Sequence, residues 1–242
     1  MLLFFIRHGD PIYNPDSLTP QGKLQAEALV KRLMQCKIDR IYTSSSNRAR
    51  MTAAPTAEAL GMEPIVLDWA RESYNGRYFY MEAPDCGDRR WVFQSPQFIR
   101  QFNSASVRAL GAEWYRAPEF AGTKFEEGCA LFQKYTDDFF ASLGYLHDRA
   151  NGIYRIERPN EERIAFFAHQ GFGMIFFSCM LDIPYPQYCT HFDSGFSGVT
   201  VIEFRAAGKD ADFCVPKVLQ LSNDSHLFRE GLSTKYQNRV EF

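Results

Sequence analysis

Apolar residues in this chain gather in short unbroken runs that stop abruptly at polar ones. Leu2-Leu3-Phe4-Phe5-Ile6 runs into Arg7-His8-Gly9, and Ile164-Ala165-Phe166-Phe167-Ala168 runs into His169-Gln170-Gly171. A run this short and this apolar predicts a strand buried on both faces, the kind found inside a parallel sheet. Further strands are predicted over residues 38–42, 63–67, 199–204 and 215–221.

Between the strands the spacing becomes helical. Thr19-Pro20 reads as an N-cap and first helical residue, followed by Ala26, Leu29, Val30 and Leu33, with an end near Cys36. The hydroxyl cluster Thr43-Ser44-Ser45-Ser46 leads into a second helix with Ala49, Thr52, Ala53, Thr56, Ala57 and Leu60 on one face and Gly61 as its stop. Pro55 should kink that helix or shift its start. Phe125, Cys129, Phe132, Tyr135, Phe139 and Leu143 form another helical stripe, and residues 173–181 a further helix. Residues 151–163 read as a polar connection.

Strands alternating with helices predict an α/β fold, a three-layer α/β/α sandwich around a mostly parallel central sheet. From residue 74 to about 123 the periodicity dissolves among aromatics and prolines. The chain therefore reads as a single domain over residues 1–242, with residues 77–123 as a lid-like, aromatic-rich insertion over the sheet's carboxyl edge.

Composition narrows the function. Hydrophobic residues make up 45% and charged residues 23%, and the net charge of −2 carries no footprint for nucleic acid or an anionic membrane. The six cysteines lack metal-ligand spacing and read as free thiols. The apolar start is too short for a signal peptide or a membrane span, so a cytoplasmic protein is expected. Oligomeric state is not readable, and a homodimer stays open.

The chemistry lies at the strand ends, where open α/β sheets place their ligands. Arginine grips phosphate through paired hydrogen bonds, histidine can attack it, and glycine lets backbone come close. A metal site is the rival, but no third ligand stands at recognisable spacing and Arg7 beside His8 would repel a cation. Arg48 falls in the first turn of the second helix, where backbone N–H groups already favour an anion.

Arg7-His8-Gly9, Asn14, Leu18-Thr19-Pro20-Gln21-Gly22 and Gln25-Ala26 resemble the signature of the histidine phosphatase superfamily, also called phosphoglycerate mutase-like. Ile41-Tyr42-Thr43-Ser44 with Arg48-Ala49 and Thr52-Ala53 resembles its second motif, and Ala168-His169-Gln170-Gly171 its third. The resemblance covers roughly residues 2–76 and 164–228. It implies His8 as a nucleophile that becomes phosphorylated, with Arg7, Arg48, His169 and Asn14 binding the phosphate. It places the acid in Arg71-Glu72-Ser73-Tyr74-Asn75-Gly76, hence Glu72, with Glu82 and Asp85 as fallbacks and an ion pair with Arg71 or Arg77 as the plainer role. No metal or other cofactor is needed in such a scheme.

Two positions depart from the pattern: Asp10 where Glu or Gln is usual, and Gln170 where a small residue is frequent. Asn223-Asp224-Ser225-His226-Leu227 also resembles a family segment, but a structural turn explains His226 equally well, and His147 and His191 read as structural. Only three residues separate Asn14 from Leu18, as in the phosphatase branch, whereas the mutases carry a longer segment. The expected activity is hydrolysis of a small phosphomonoester, with mutase-type transfer and a non-catalytic phosphate-binding protein as alternatives. Substrate contacts are expected from Arg77, Tyr78, Arg89 and Arg90 of the insertion and from Gln170. The insertion's aromatics fit either a planar substrate or the insertion's own core.

Overall fold

The computed structural model describes residues 1–83 and 87–234. The chain divides into two compact units, one made of Met1–Arg71, Pro159–Gln170 and Asp193–Phe242, the other of Glu72–Arg158 and Gly171–Phe192.

The first unit is built on a six-stranded sheet: β1 (Leu2–Arg7), β2 (Arg40–Ser44), β3 (Ile65–Leu67), β4 (Arg163–Ala168), β5 (Val199–Glu203) and β6 (Lys217–Asn223). Their order is β6-β5-β1-β4-β2-β3. β1, β4, β2 and β3 pair in parallel, and β5 runs antiparallel to both β1 and β6. The expected mostly parallel α/β sheet is thus present. β1 and β4 occupy its middle, which is why each can carry five apolar residues in a row: Ile6 and Phe167 face the same cluster as Leu29, Leu33 and Ala53, while Phe5 packs edge-on to Phe166.

The edge strands depart from expectation. β3 spans three residues where five were expected, and Ile65 and Val66 are 44% and 47% exposed. β6 starts two residues late, at Lys217, and is exposed over most of its length. A strand paired on one side only lacks the second neighbour that would bury it.

The two long helices of this unit are α1 (Pro20–Gln35) and α2 (Asn47–Leu60), and a short one spans Ser225–Arg229. Thr19 caps α1 by accepting the Gly22 N–H at 2.9 Å. α2 neither starts at Pro55 nor stops there; it begins at Asn47 and ends at Gly61, whose φ of +63° suits a glycine. Proline removes one helical hydrogen bond, and burial of the small face of Ala49, Thr52, Ala53, Thr56 and Ala57 offsets that loss.

The second unit holds α3 (Glu72–Phe79), α4 (Pro96–Phe102), α5 (Phe125–Ser142), α6 (Gln170–Leu181, from Gly171 onward) and α7 (Tyr185–His191). A hairpin pairs Tyr80–Glu82 with Arg89–Trp91. A second hairpin, Tyr145–Asp148 with Ile153–Ile156, lies partly where a polar connection was expected. Its turn contains Asn151-Gly152, with φ +64° at the glycine, a hairpin signal in the sequence that four-residue strands made easy to overlook.

The insertion's aromatics form this unit's own core. Trp114, Phe102, Phe120 and Phe125 are all buried, and Trp114 lies 4.9 Å from Phe125, 5.4 Å from Phe102 and 5.9 Å from Tyr185. No helix among the described residues is long and apolar enough to cross a membrane. Cys36, Cys129, Cys179, Cys189 and Cys214 are free thiols, and burial pushes that of Cys179 up to about 12.

Candidate active site

The register of the sheet assembles the first part of the site. Arg7 of β1 stands opposite Ala168 of β4, so the next residues, His8 and His169, leave the sheet together at its carboxyl edge. The His8 N–H donates to the Ala168 carbonyl at 2.9 Å. The two rings lie 5.2 Å apart between centroids, and both side chains are buried.

Burial, reinforced by the charges of Arg7 and Arg48, holds His8 well below the usual histidine range. His169 is lowered in the same way, by burial first and then by Arg48, His8, Arg7 and Arg71. Both imidazoles are therefore neutral at pH 7. His8 Nδ1 lies 2.7 Å from the Gly9 carbonyl oxygen. A carbonyl only accepts, so Nδ1 carries the proton and Nε2 keeps the lone pair. His169 Nε2 lies 2.8 Å from Ser44 Oγ, and that oxygen accepts the Ser46 N–H at 3.2 Å, so its own proton can go to Nε2 and leave the ring's N–H on Nδ1.

Two arginines converge on these histidines. Arg7 is 1% exposed, its guanidinium lies 4.0 Å over the Phe196 ring, and Nη1 donates to the Ser194 carbonyl. Arg48 is buried at the start of α2, and its Nη1 donates to Asp16 Oδ1 at 2.8 Å. α2 is tied to the loop after His8 by Thr52: its hydroxyl accepts the Gly9 N–H at 3.0 Å and donates to the Arg48 carbonyl at 2.8 Å. Gly9 packs on Gly22, where a Cβ would approach the Gly22 carbonyl oxygen to 2.6 Å.

Asp10 carries a structural load that accounts for its place in the motif. Its carboxylate takes the Thr19 hydroxyl at 2.8 Å, its carbonyl the Thr19 N–H at 3.0 Å, and its own N–H donates to Gln25 Oε1. Gln170 is buried, with its amide nitrogen donating to Asp193. Asn14 is exposed, between the hairpin strands Pro11–Tyr13 and Asp16–Leu18. His226 is a buried structural residue, 2.9 Å from Ser197 Oγ and lowered to about 4 by burial and Arg32.

The remaining candidates lie in the second unit. Glu72 opens α3, and its Oε1 accepts the Gly171 N–H at 2.9 Å, in the first turn of α6. Gly171 is required at that spot: a Cβ would meet the Trp91 ring at 2.8 Å and the Glu72 carboxylate at 3.0 Å. Arg77 is exposed and lies over the Tyr74 ring at 4.9 Å. Tyr78 is buried against Gly128 and its hydroxyl donates to Glu127 at 3.2 Å, so its side chain is committed to this unit's packing. Arg89 is exposed and donates to the Tyr80 carbonyl at 3.0 Å, and Arg90 pairs with Asp88 at 3.5 Å. Glu82 is exposed, and Asp85 lies outside the described residues.

Thus Arg7, His8, Arg48 and His169 come together in the first unit, while Asn14 stays exposed. Asp16, Ser194 and Phe196 had no mark in the sequence as site residues, and Ser44 and Thr52 were marked only as parts of the second motif, with no role given to either.

Residues 3–114 match the family model of the histidine phosphatase superfamily (branch 1). Phosphoserine phosphatase 1 of Hydrogenobacter thermophilus is 30% identical over 105 residues, 37% of this chain and 50% of that protein. A probable phosphatase of Schizosaccharomyces pombe is 38% identical over 86 residues, 31% of this chain and 41% of that protein. The chain spans about half the length of the curated relatives it matches. A phosphoserine phosphatase of Entamoeba histolytica, solved with phosphoserine, shares the fold with a TM-score of 0.59 at 18% identity, over 93% of this chain and 98% of that one. The likeness to the histidine phosphatase superfamily thus rests on residues 3–114, a little under half of the chain, and the shared fold extends over 93% of it.

Proposed function

We infer that the protein is a phosphomonoester hydrolase working through a phosphohistidine at His8. The observation that carries this reading is the proton placement: Nδ1 is held by the Gly9 carbonyl, and the buried ring is neutral beside two guanidinium groups. Nε2 is then a lone-pair nucleophile at pH 7, with cations at hand for the charge on a phosphoryl group.

In the first step Nε2 attacks phosphorus, the ester P–O bond breaks, and the leaving oxygen takes a proton from the Glu72 carboxyl. In the second, water attacks the phosphohistidine, the N–P bond breaks with its electron pair returning to Nε2, and the Glu72 carboxylate accepts the water's proton. Arg7 and Arg48 hold the phosphoryl oxygens in both steps, and His169 donates to one of them. Two fixed guanidinium groups supply the charge a divalent metal would otherwise bring, so the reaction runs without one. The free cysteines fit a cytoplasmic setting.

The substrate is a small phosphorylated metabolite, and phosphoserine heads the panel because relatives carry its phosphatase in their names. The test is hydrolysis of para-nitrophenyl phosphate and of that panel, with EDTA present, by the wild type and His8→Ala. Turnover lost in His8→Ala, together with acid-labile and alkali-stable labelling of the wild type, is the expected result. Absence of His8-dependent turnover on every phosphomonoester sinks the hydrolase reading, and phosphate binding without turnover leaves a phosphate-binding protein in its place.

A further inference from the structure

Asp16 sits on the second strand of the short hairpin, and its two carboxylate oxygens have different partners. Oδ1 accepts from Arg48 Nη1 at 2.8 Å. Oδ2 accepts the backbone N–H of Asn47, the first residue of α2, also at 2.8 Å. The Asn47 side chain reciprocates, its Nδ2 donating to the Asp16 carbonyl at 2.7 Å. Ser46, in the N-cap position, makes no side-chain capping bond, so Asp16 caps α2 from outside the helix. The arginine side chain is 10% exposed and the aspartate 30%, and the Tyr13 ring lies 5.4 Å from the guanidinium.

We propose that Asp16 is a positioning residue for the phosphate site, clamping the Arg48 guanidinium in the orientation that receives a phosphoryl group. The proposal rests on the hydrolase reading above. One carboxylate fixes both the backbone that carries Arg48 and the head group at the end of its side chain. An arginine is long and rotamer-rich, and one already clamped loses less freedom when an anion arrives. The short, charge-assisted geometry is the strong kind of hydrogen bond, and it leaves little room for the guanidinium plane to swing. A clamp of this kind acts on binding of the phosphoryl group itself, so it belongs in KM and in the affinity for inorganic phosphate more than in kcat.

The test compares steady-state kinetics, competitive inhibition by inorganic phosphate and melting temperature across the wild type, Asp16→Ala, Asp16→Asn, Arg48→Ala and the Asp16→Ala/Arg48→Ala pair. Asp16→Ala is expected to raise KM and the phosphate Ki about tenfold, with kcat changed far less. Asp16→Asn keeps an oxygen able to cap α2 and so retains the melting temperature, yet still shows the raised KM and Ki. Combining Asp16→Ala with Arg48→Ala costs no more than Arg48→Ala alone, because Asp16 acts through that arginine. An unchanged KM, a lowered KM from relief of a competing negative charge, or full additivity overturns the proposal. A fall in melting temperature with KM and Ki intact also overturns it, since that is the signature of helix capping alone. If the wild type shows no His8-dependent turnover, the hydrolase reading fails, and calorimetric phosphate binding by the same variants still decides the role of Asp16.

Discussion

His8 and His169 hold their buried rings 5.2 Å apart at the ends of two neighbouring parallel strands, with the Arg7 and Arg48 charges beside them. Their folded-state proton affinity is far below that of an exposed imidazole, which titrates at about 6.5. In imidazole NMR, neither ring is expected to titrate between pH 8 and 6. A midpoint at or above the ordinary value for either would contradict the neutral pair. The stability consequence has a definite sign. Below about pH 6.5 the unfolded chain takes up protons that the folded one refuses, so these two residues make stability fall as the solution is acidified.

His147 provides the opposite case within the second unit. Its Nδ1 meets Asp137 at 3.0 Å and its Nε2 meets Asp182 at 2.8 Å, with Arg149 bonded to both acids. The ring stacks on Tyr154 at 4.0 Å. Burial pulls its pKa down, but the two carboxylates outweigh that and leave it raised. Replacing His147 by Ala should cost about 2–4 kcal/mol of unfolding free energy below pH 6.5. The cost should shrink as pH rises through the raised folded value, because the charged pairs are lost with the proton. Urea denaturation at pH 6 and pH 8.5 checks both size and sign.

Gly22 is a backbone contact point under the loop that follows His8. A Cβ there would lie 2.2 Å from the Asp10 carbonyl oxygen and 3.0 Å from its nitrogen, so relief requires backbone movement. Gly22→Ala is expected to lose about 2–4 kcal/mol, read by denaturant titration. A loss below about 0.5 kcal/mol would mean the loop yields easily.

Trp114 tests what the aromatics of the insertion are for. It is 2% exposed and surrounded by Phe102, Phe120, Phe125 and Tyr185. Trp114→Ala should cost about 3–5 kcal/mol, as for any large core truncation. Tyr80, 38% exposed, should cost under about 1 kcal/mol when cut to Ala. Equal and small effects would return these rings to the role of a substrate surface.

The parts of this molecule that could be read from the chain share one property: their signal is local. Thr19-Pro20 starts α1 and Gly61 stops α2 because capping depends on a few adjacent residues. β1 and β4 announced themselves because a central strand must be apolar on both faces, whereas β3 and β6 blurred because an edge strand need not be. Arg7, His8, Arg48 and His169 could be named together because each follows closely on a strand end, and parallel pairing sends those ends to one edge.

The chain by itself determined the α/β class, the parallel core and the four residues at its carboxyl edge, since periodicity and end signals are written in neighbouring positions. Tertiary structure alone decided which nitrogen of His8 is protonated, through the Gly9 carbonyl, and how far burial lowers both imidazoles. It also decided that Asp16 caps α2 and clamps Arg48 across 32 positions, and that the insertion's rings face one another. Those are properties of desolvation and of contacts between residues far apart in sequence, and such contacts exist only once the backbone has closed around them.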